Sequence, residues 1–154
     1  MEDATDKPAE KPTACILVVE DEDNIAIALD YLLTREGYAQ KRIATGAGAV
    51  DLIREMRPDL VLLDVMLPEV SGYEICQSVR GDEALAHIPI LMMTARGSVM
   101  ERRKGLAMGA TGFITKPFEL KALREEVRRI LDDPQAALDA AAAMVAAPAG
   151  QDNA

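Results

Sequence analysis

Five side chains stand where short apolar runs stop. Glu20 and Asp21 follow Cys15-Ile16-Leu17-Val18-Val19, and Asp64 follows Leu60-Val61-Leu62-Leu63. Thr94 follows Ile90-Leu91-Met92-Met93, and Lys116 follows Phe113-Ile114-Thr115. Three carboxylates brought within a few ångströms repel and raise one another's pKa values. A hard divalent cation with oxygen ligands relieves that repulsion, and Mg²⁺ suits one or two carboxylates completed by water and a phosphate oxygen. Lys116 adds a compact positive charge to set against a phosphoryl oxygen. Thr94 adds a hydroxyl donor. Asp64 closes its run, so its carboxylate reaches into the open, and aspartate accepts phosphoryl groups covalently. The chemistry this set offers is phosphoryl acceptance on Asp64, with positioning and charge neutralisation supplied by the cation and Lys116.

Taken singly, each residue has a plainer role. Glu20 and Asp21 suit the start of a helix, where acids meet the positive end of its dipole. Asp64 suits a turn ahead of Pro68, Thr94 a helix cap, and Lys116 a solvated charge. Their joint placement at the ends of apolar runs is what favours a site.

The elements that must position them alternate. The runs ending at Val19, Leu63 and Met93 are continuous and apolar, as strands buried on both faces should be. A weaker strand is expected over 38–43 and a short one over 113–115. Between them come segments with helical spacing. Ile25, Leu29, Leu32 and Leu33 mark a helix that Gly37 stops. Val50 and Ile53 face inward on a helix ending before Pro58. Helices are expected over 71–80, over 98–107 (the least apolar of the set) and over 119–131, the last with Leu120, Leu123, Val127 and Ile130 on one face. Strand–helix alternation implies a parallel sheet with helices on both faces. Right-handed crossovers leave few arrangements for five such units. The expected fold is α/β, a doubly wound five-stranded sheet; alternation does not fix the strand order, and the flavodoxin-like order 2-1-3-4-5 is taken over from known sheets of this kind. Its sites form beyond the carboxyl ends of the strands, where the strand order reverses.

The expected boundaries are a disordered tail over 1–13, one domain over 14–131, and an alanine-rich tail over 132–154. Asp132-Asp133-Pro134 punctuates the chain. Alanine favours helix, but a segment this short is marginal alone. The expectation for the tail is fraying, with a short docked sixth helix as the alternative.

The net charge of -9 over 154 residues argues against a nucleic-acid surface, which needs a basic stripe. The two cysteines, Cys15 and Cys76, lie in apolar segments without metal or redox spacing and are expected to be buried free thiols. No apolar run is long enough for a membrane span, and the N-terminus lacks a signal-peptide pattern. A cytoplasmic location is expected. His87 is the only histidine and has no nucleophile beside it, which argues against a hydrolase triad. No Walker or dinucleotide glycine pattern follows a strand.

The stretches ILVVEDE (16–22), DLVLLDVMLPEVSGYE (59–74), PILMMTAR (89–96) and GATGFITKPFEL (109–120) resemble the receiver domains of bacterial two-component response regulators. The resemblance implies Asp64 as phosphoacceptor and Asp21 as a direct Mg²⁺ ligand, with Mn²⁺ as a substitute ion. Asp64 itself and the backbone carbonyl of Met66 complete the ligands, and Glu20 holds the metal through water. It further implies that Thr94 is a hydroxyl that moves toward the phosphoryl group, that Lys116 pairs with it, and that the bond to Pro117 is cis. Phe113 matches an aromatic residue that rotates inward when Thr94 moves. The donor is then a histidine kinase or histidine phosphotransfer protein.

The motifs MLPEVSGYE and MMTAR are similar to those of receivers that precede winged-helix DNA-binding domains. Those receivers carry an acidic pair where this chain has Thr111-Gly112, which puts their dimer face of fourth helix, fifth strand and fifth helix in doubt. A monomer or weak dimer is expected. The two dozen or so residues after the last helix are too few for a winged-helix domain, so a stand-alone receiver is expected. Its output is a protein partner read at that same face, with no nucleic acid and no membrane. It is not an enzyme, catalysing only its own aspartyl phosphorylation and dephosphorylation. The alternatives are a relay passing phosphate to another histidine, a binding module with an unused pocket, and a haloacid-dehalogenase-like phosphatase. The last needs a second aspartate at position 66, where methionine stands. Met66 and Arg96 flank the expected phosphoryl position and should set its lifetime.

Overall fold

The computed structural model describes residues 13–95 and 99–146. Residues 1–12 of the expected N-terminal tail over 1–13, Arg96, and the stretch 147–154 lie outside the described residues. The elements in chain order are β1 (Cys15–Val19), α1 (Asp23–Arg35), β2 (Ala39–Ile43), α2 (Ala49–Met56), β3 (Leu60–Asp64), α3 (Gly72–Arg80), β4 (Ile90–Thr94), α4 (Val99–Ala107), β5 (Gly112–Thr115), α5 (Leu120–Asp132) and α6 (Pro134–Ala146). All strand pairs are parallel and the order is β2-β1-β3-β4-β5, as expected.

The three central strands are apolar throughout because both faces are covered. Their alternate residues feed two cores. Leu17, Val19, Val61, Leu63, Ile90 and Met92 point to one side, against Ile53 of α2 and Ile75, Cys76 and Val79 of α3. Ile16, Val18, Leu60, Leu62, Leu91 and Met93 point to the other, against Leu29, Leu32 and Leu33 of α1 and Leu123, Val127 and Ile130 of α5. β2 reads weakly because it is an edge strand with exposed and half-buried positions. α4 buries only Gly105, so it is the least anchored helix of the sheet's flanks.

Three expectations are corrected. Leu120 is 43% exposed, because the first residue of α5 projects beyond the sheet that holds Leu123, Val127 and Ile130. Cys15 is half-buried rather than buried, lying at the outer end of β1; Cys76 is buried, and both are free. The alanine-rich segment does not fray at its start. Asp133 breaks α5 and caps α6, its Oδ1 accepting the N–H of Ala136 at 3.1 Å. Pro134 takes the first helical position, where its missing N–H costs nothing. Ala137 and Ala141 are buried against the domain. No described helix is long and apolar enough to cross a membrane.

Candidate functional site

From β1 the chain crosses to β2 on one side, and β3 pairs with β1 on the other, so a crevice opens at the carboxyl ends of β1 and β3. Asp64 is the last residue of β3 and is 3% exposed. Its Oδ1 accepts the backbone N–H of Met66 at 3.1 Å, and its Oδ2 accepts from Lys116 Nζ at 3.1 Å. Glu20 follows β1 and is fully buried, its Oε2 accepting the N–H of Glu22 at 3.1 Å. Lys116 follows β5, and its N–H donates to the Thr94 carbonyl at 2.7 Å, which ties the ends of β4 and β5 together. Its ammonium lies 2.9 Å from Glu20 Oε1 and 3.8 Å from Glu22 Oε1. The Glu20 contact is close but poorly directed for a hydrogen bond, so it is a charge contact and leaves Oε1 without a hydrogen-bond partner. The Lys116–Pro117 bond is cis.

Burial pushes the Glu20 carboxyl up to about 7, against the lowering pull of Lys116 and of the Glu22 N–H, while the charge of Asp64 adds to the rise. Burial alone pulls Lys116 down. Glu20 and Asp64 together outweigh it, and the ammonium ends above its usual range.

Glu20, Asp21 and Asp64 each offer a carboxylate oxygen, all within 4.8 Å of one another. Asp21 is exposed, so its oxygens reach the crevice without first leaving a partner in the core. The donors are all hard oxygens, and one buried oxygen, Glu20 Oε1, lacks a hydrogen bond. This set fits an oxygen-loving divalent cation such as Mg²⁺. Thr94 ends β4 and is 1% exposed. Phe113 lies two positions before the partner of Thr94 in the β4–β5 register. It is buried, with the Arg102 guanidinium 5.5 Å from its ring centre. Met66 is 58% exposed at the mouth of the crevice.

Two positioning devices escaped sequence reasoning. Gly72 opens α3 where a Cβ would stand 2.4 Å from the carbonyl oxygen of Asp64, so only glycine lets α3 start this close beneath the carboxylate. Arg42, on β2, donates from Nε to the backbone carbonyl of Glu20 at 2.9 Å and pairs with Asp23 at 3.0 Å, pinning the acidic turn from outside. The serine ahead of Gly72 was the available signal for the first: Ser71 and Glu74 form a reciprocal capping box. Nothing local marks Arg42.

The family model of the response regulator receiver domain matches residues 16–128. The chain belongs to that family. This receiver is 39% identical over 116 residues to the transcriptional regulatory protein AfsQ1 of Streptomyces coelicolor, covering 75% of this chain and 50% of that one. It spans about half the length of the curated relatives it matches. The chemotaxis response regulator CheY4 of Vibrio cholerae superposes with a TM-score of 0.73 at 32% identity, covering 77% of this chain and 99% of that one. The receiver domain of the sensor histidine kinase PA1611 from Pseudomonas aeruginosa superposes with a TM-score of 0.73 at 28% identity, covering 79% of this receiver and 99% of that one. That structure holds a magnesium ion in its active-site cleft.

Proposed function

We propose that this receiver takes a phosphoryl group on Asp64 from a phosphohistidine of a histidine kinase or histidine phosphotransfer protein. The observation that carries the reading is the meeting of Asp64, Glu20, Asp21 and Lys116 at one strand-end crevice. A carboxylate oxygen of Asp64 forms the new P–O bond as the donor's P–N bond breaks, and the imidazole leaves with a proton. Lys116 already faces Asp64 and supplies positive charge where the phosphoryl oxygens arrive. The Met66 N–H holds the other carboxylate oxygen, fixing the plane of the group. Glu20, Asp21, Asp64 and the Met66 carbonyl would hold Mg²⁺, which would supply charge neutralisation for the transfer.

The receiver acts on no substrate but itself. Transferred charge biases Thr94 and Phe113, and the face of α4, β5 and α5 carries the change to a protein partner. That partner is a domain of the same polypeptide or a separate protein; the receiver itself, with a net charge of -9, makes no nucleic-acid contact. The test is incubation with acetyl phosphate and Mg²⁺ or Mn²⁺, followed by intact-mass measurement. A phosphoryl adduct on the wild type that is lost in Asp64→Asn is expected. No adduct, or an equal one in the variant, overturns the reading.

A further inference from the structure

β2 holds Glu20 on both sides of its α-carbon. The Glu20 N–H donates to the Ile43 carbonyl at 3.1 Å, as a continuing parallel ladder requires. β2 ends at Ile43, and the donor that a longer strand would bring to the Glu20 carbonyl comes instead from a side chain, Arg42 Nε at 2.9 Å. Each of the two planar peptide groups that meet at the Glu20 α-carbon is therefore tied to β2, which fixes both of its backbone dihedrals. Asp21 begins where the second of those planes ends.

Asp21 needs that support. Glu20 and Asp64 have bonds of their own, to the Glu22 N–H, the Met66 N–H and Lys116. The Asp21 side chain is exposed and has no hydrogen-bond or ion-pair partner among the described residues, so the peptide before it sets where its carboxylate starts. Arg42 is also drawn inward further than its ion pair explains. The side chain of its partner Asp23 is 82% exposed, and a pair of that kind contributes little. Arg42 Nη2 is buried without a hydrogen-bond partner among the described residues. The Nε bond to the Glu20 carbonyl is the contact that holds the guanidinium there.

We propose that Arg42 is a positioning residue for Mg²⁺ binding: through the Glu20 carbonyl it sets the angle at which Asp21 meets Glu20 and Asp64. Its charge pulls the other way. A guanidinium beside the acidic turn weakens the attraction for a cation, so on charge alone removing Arg42 tightens Mg²⁺ binding. On positioning, removing it weakens binding, as losing a bond that orients a metal ligand commonly does. The two accounts differ in sign. The proposal rests on the reading above only in placing Mg²⁺ at this cluster, and its test involves no phosphoryl group.

Two variants of the full chain separate the bond from the charge. In Arg42→Gln the amide nitrogen falls at the position of Nε, so the donor stays and the charge goes. In Arg42→Met a methyl falls there, and both go. Mg²⁺ is titrated by calorimetry at about pH 8, where Glu20 is mostly ionised. Arg42→Met binds Mg²⁺ about tenfold more weakly than the wild type, while Arg42→Gln stays close to it. Urea unfolding without metal shows that both variants are folded under these conditions. Wild-type or tighter binding by Arg42→Met overturns the proposal, as does equal weakening in both variants. One measurement needs no variant: in the wild type the NMR signal of the Arg42 Nε–H exchanges with water more slowly than that of an exposed arginine, with and without Mg²⁺. Fast exchange of that signal also overturns the proposal. No Mg²⁺ binding by the wild type overturns the metal reading and the proposal with it, whereas indistinguishable variants overturn the proposal alone.

Discussion

Nζ of Lys116 lies 3.1 Å from Oδ2 of Asp64 and 2.9 Å from Oε1 of Glu20, so one half-buried ammonium balances two carboxylates at the ends of different strands. Lys116 therefore occupies, electrostatically, part of the role a bound cation plays.

Removing it should split two properties that usually fall together. In Lys116→Ala, above the titration of Glu20, Mg²⁺ meets more uncompensated negative charge and binds tighter, by about fivefold. Phosphorylation by acetyl phosphate nevertheless slows, by about a hundredfold, because charge is missing where the phosphoryl oxygens arrive. Mg²⁺ titration by calorimetry and adduct formation by mass measure the two separately. A parallel loss of both would show that the lysine acts only by holding the fold.

Glu20 predicts a pH dependence of stability in the metal-free protein. Its carboxyl titrates at about 7 in the fold against 4.5 unfolded, chiefly through burial. Between those values the native state binds more protons, so its contribution to stability is full below about 4.5 and is lost as pH rises through about 7. The loss is on the order of 3 kcal/mol. Glu20→Gln should abolish it. Urea unfolding of both proteins at about pH 5 and about pH 8 gives the difference. Saturating Mg²⁺ opposes the loss, since it favours the ionised carboxylate.

The strands and the site were legible for one reason. A strand buried on both faces must be apolar along its length, so the first polar residue after it marks the strand's exit, and here those residues are the candidate site. Glu20, Asp64, Thr94 and Lys116 were readable without knowing which strands were neighbours. What depends on contact between distant segments was not readable. Arg42 looks like any edge-strand charge until its Nε is seen on the Glu20 carbonyl. Gly72 looks like a turn until α3 is seen against Asp64. Asp133-Pro134 reads as a break, and it is one; the same pair also caps and starts α6, which only docking onto α4 and α5 reveals.

Thr111 is a buried anchor at the start of β5. Its hydroxyl serves two donors, Ile90 N–H and Arg80, and Arg80 itself bonds the carbonyls of Ala86, Ile88 and Gly109. Thr111→Val keeps the volume and strands both donors in a site only 4% exposed. A loss of about 1–3 kcal/mol is expected. Thermal or urea unfolding measures it, and a neutral result would mean that water replaces the hydroxyl.

The two thiols should separate cleanly. Burial pushes Cys76 up to about 11, and it lies in the core on the buried face of α3. In native protein at neutral pH it should resist iodoacetamide until the chain unfolds, whereas half-buried Cys15 is reached by local opening of β1. Peptide mapping after timed alkylation reads both rates. Equal rates would place Cys76 in a mobile rather than a packed segment.

Met66 is expected to influence how long a phosphoryl group on Asp64 would last. Its backbone N–H is committed to Asp64 Oδ1, which fixes where its side chain leaves the chain, and that side chain is exposed at the crevice mouth. A thioether there offers an approaching water no strong hydrogen bond and covers part of its path. Met66→Asn places an amide at the same point, able to orient water toward phosphorus. Because the substitution changes an exposed side chain and keeps the N–H, stability and Mg²⁺ affinity should stay the same while phospho-Asp64 decays severalfold faster. The comparison is adduct mass against time after removal of acetyl phosphate. Equal or slower decay in the variant would show that water reaches phosphorus from a side that Met66 does not guard.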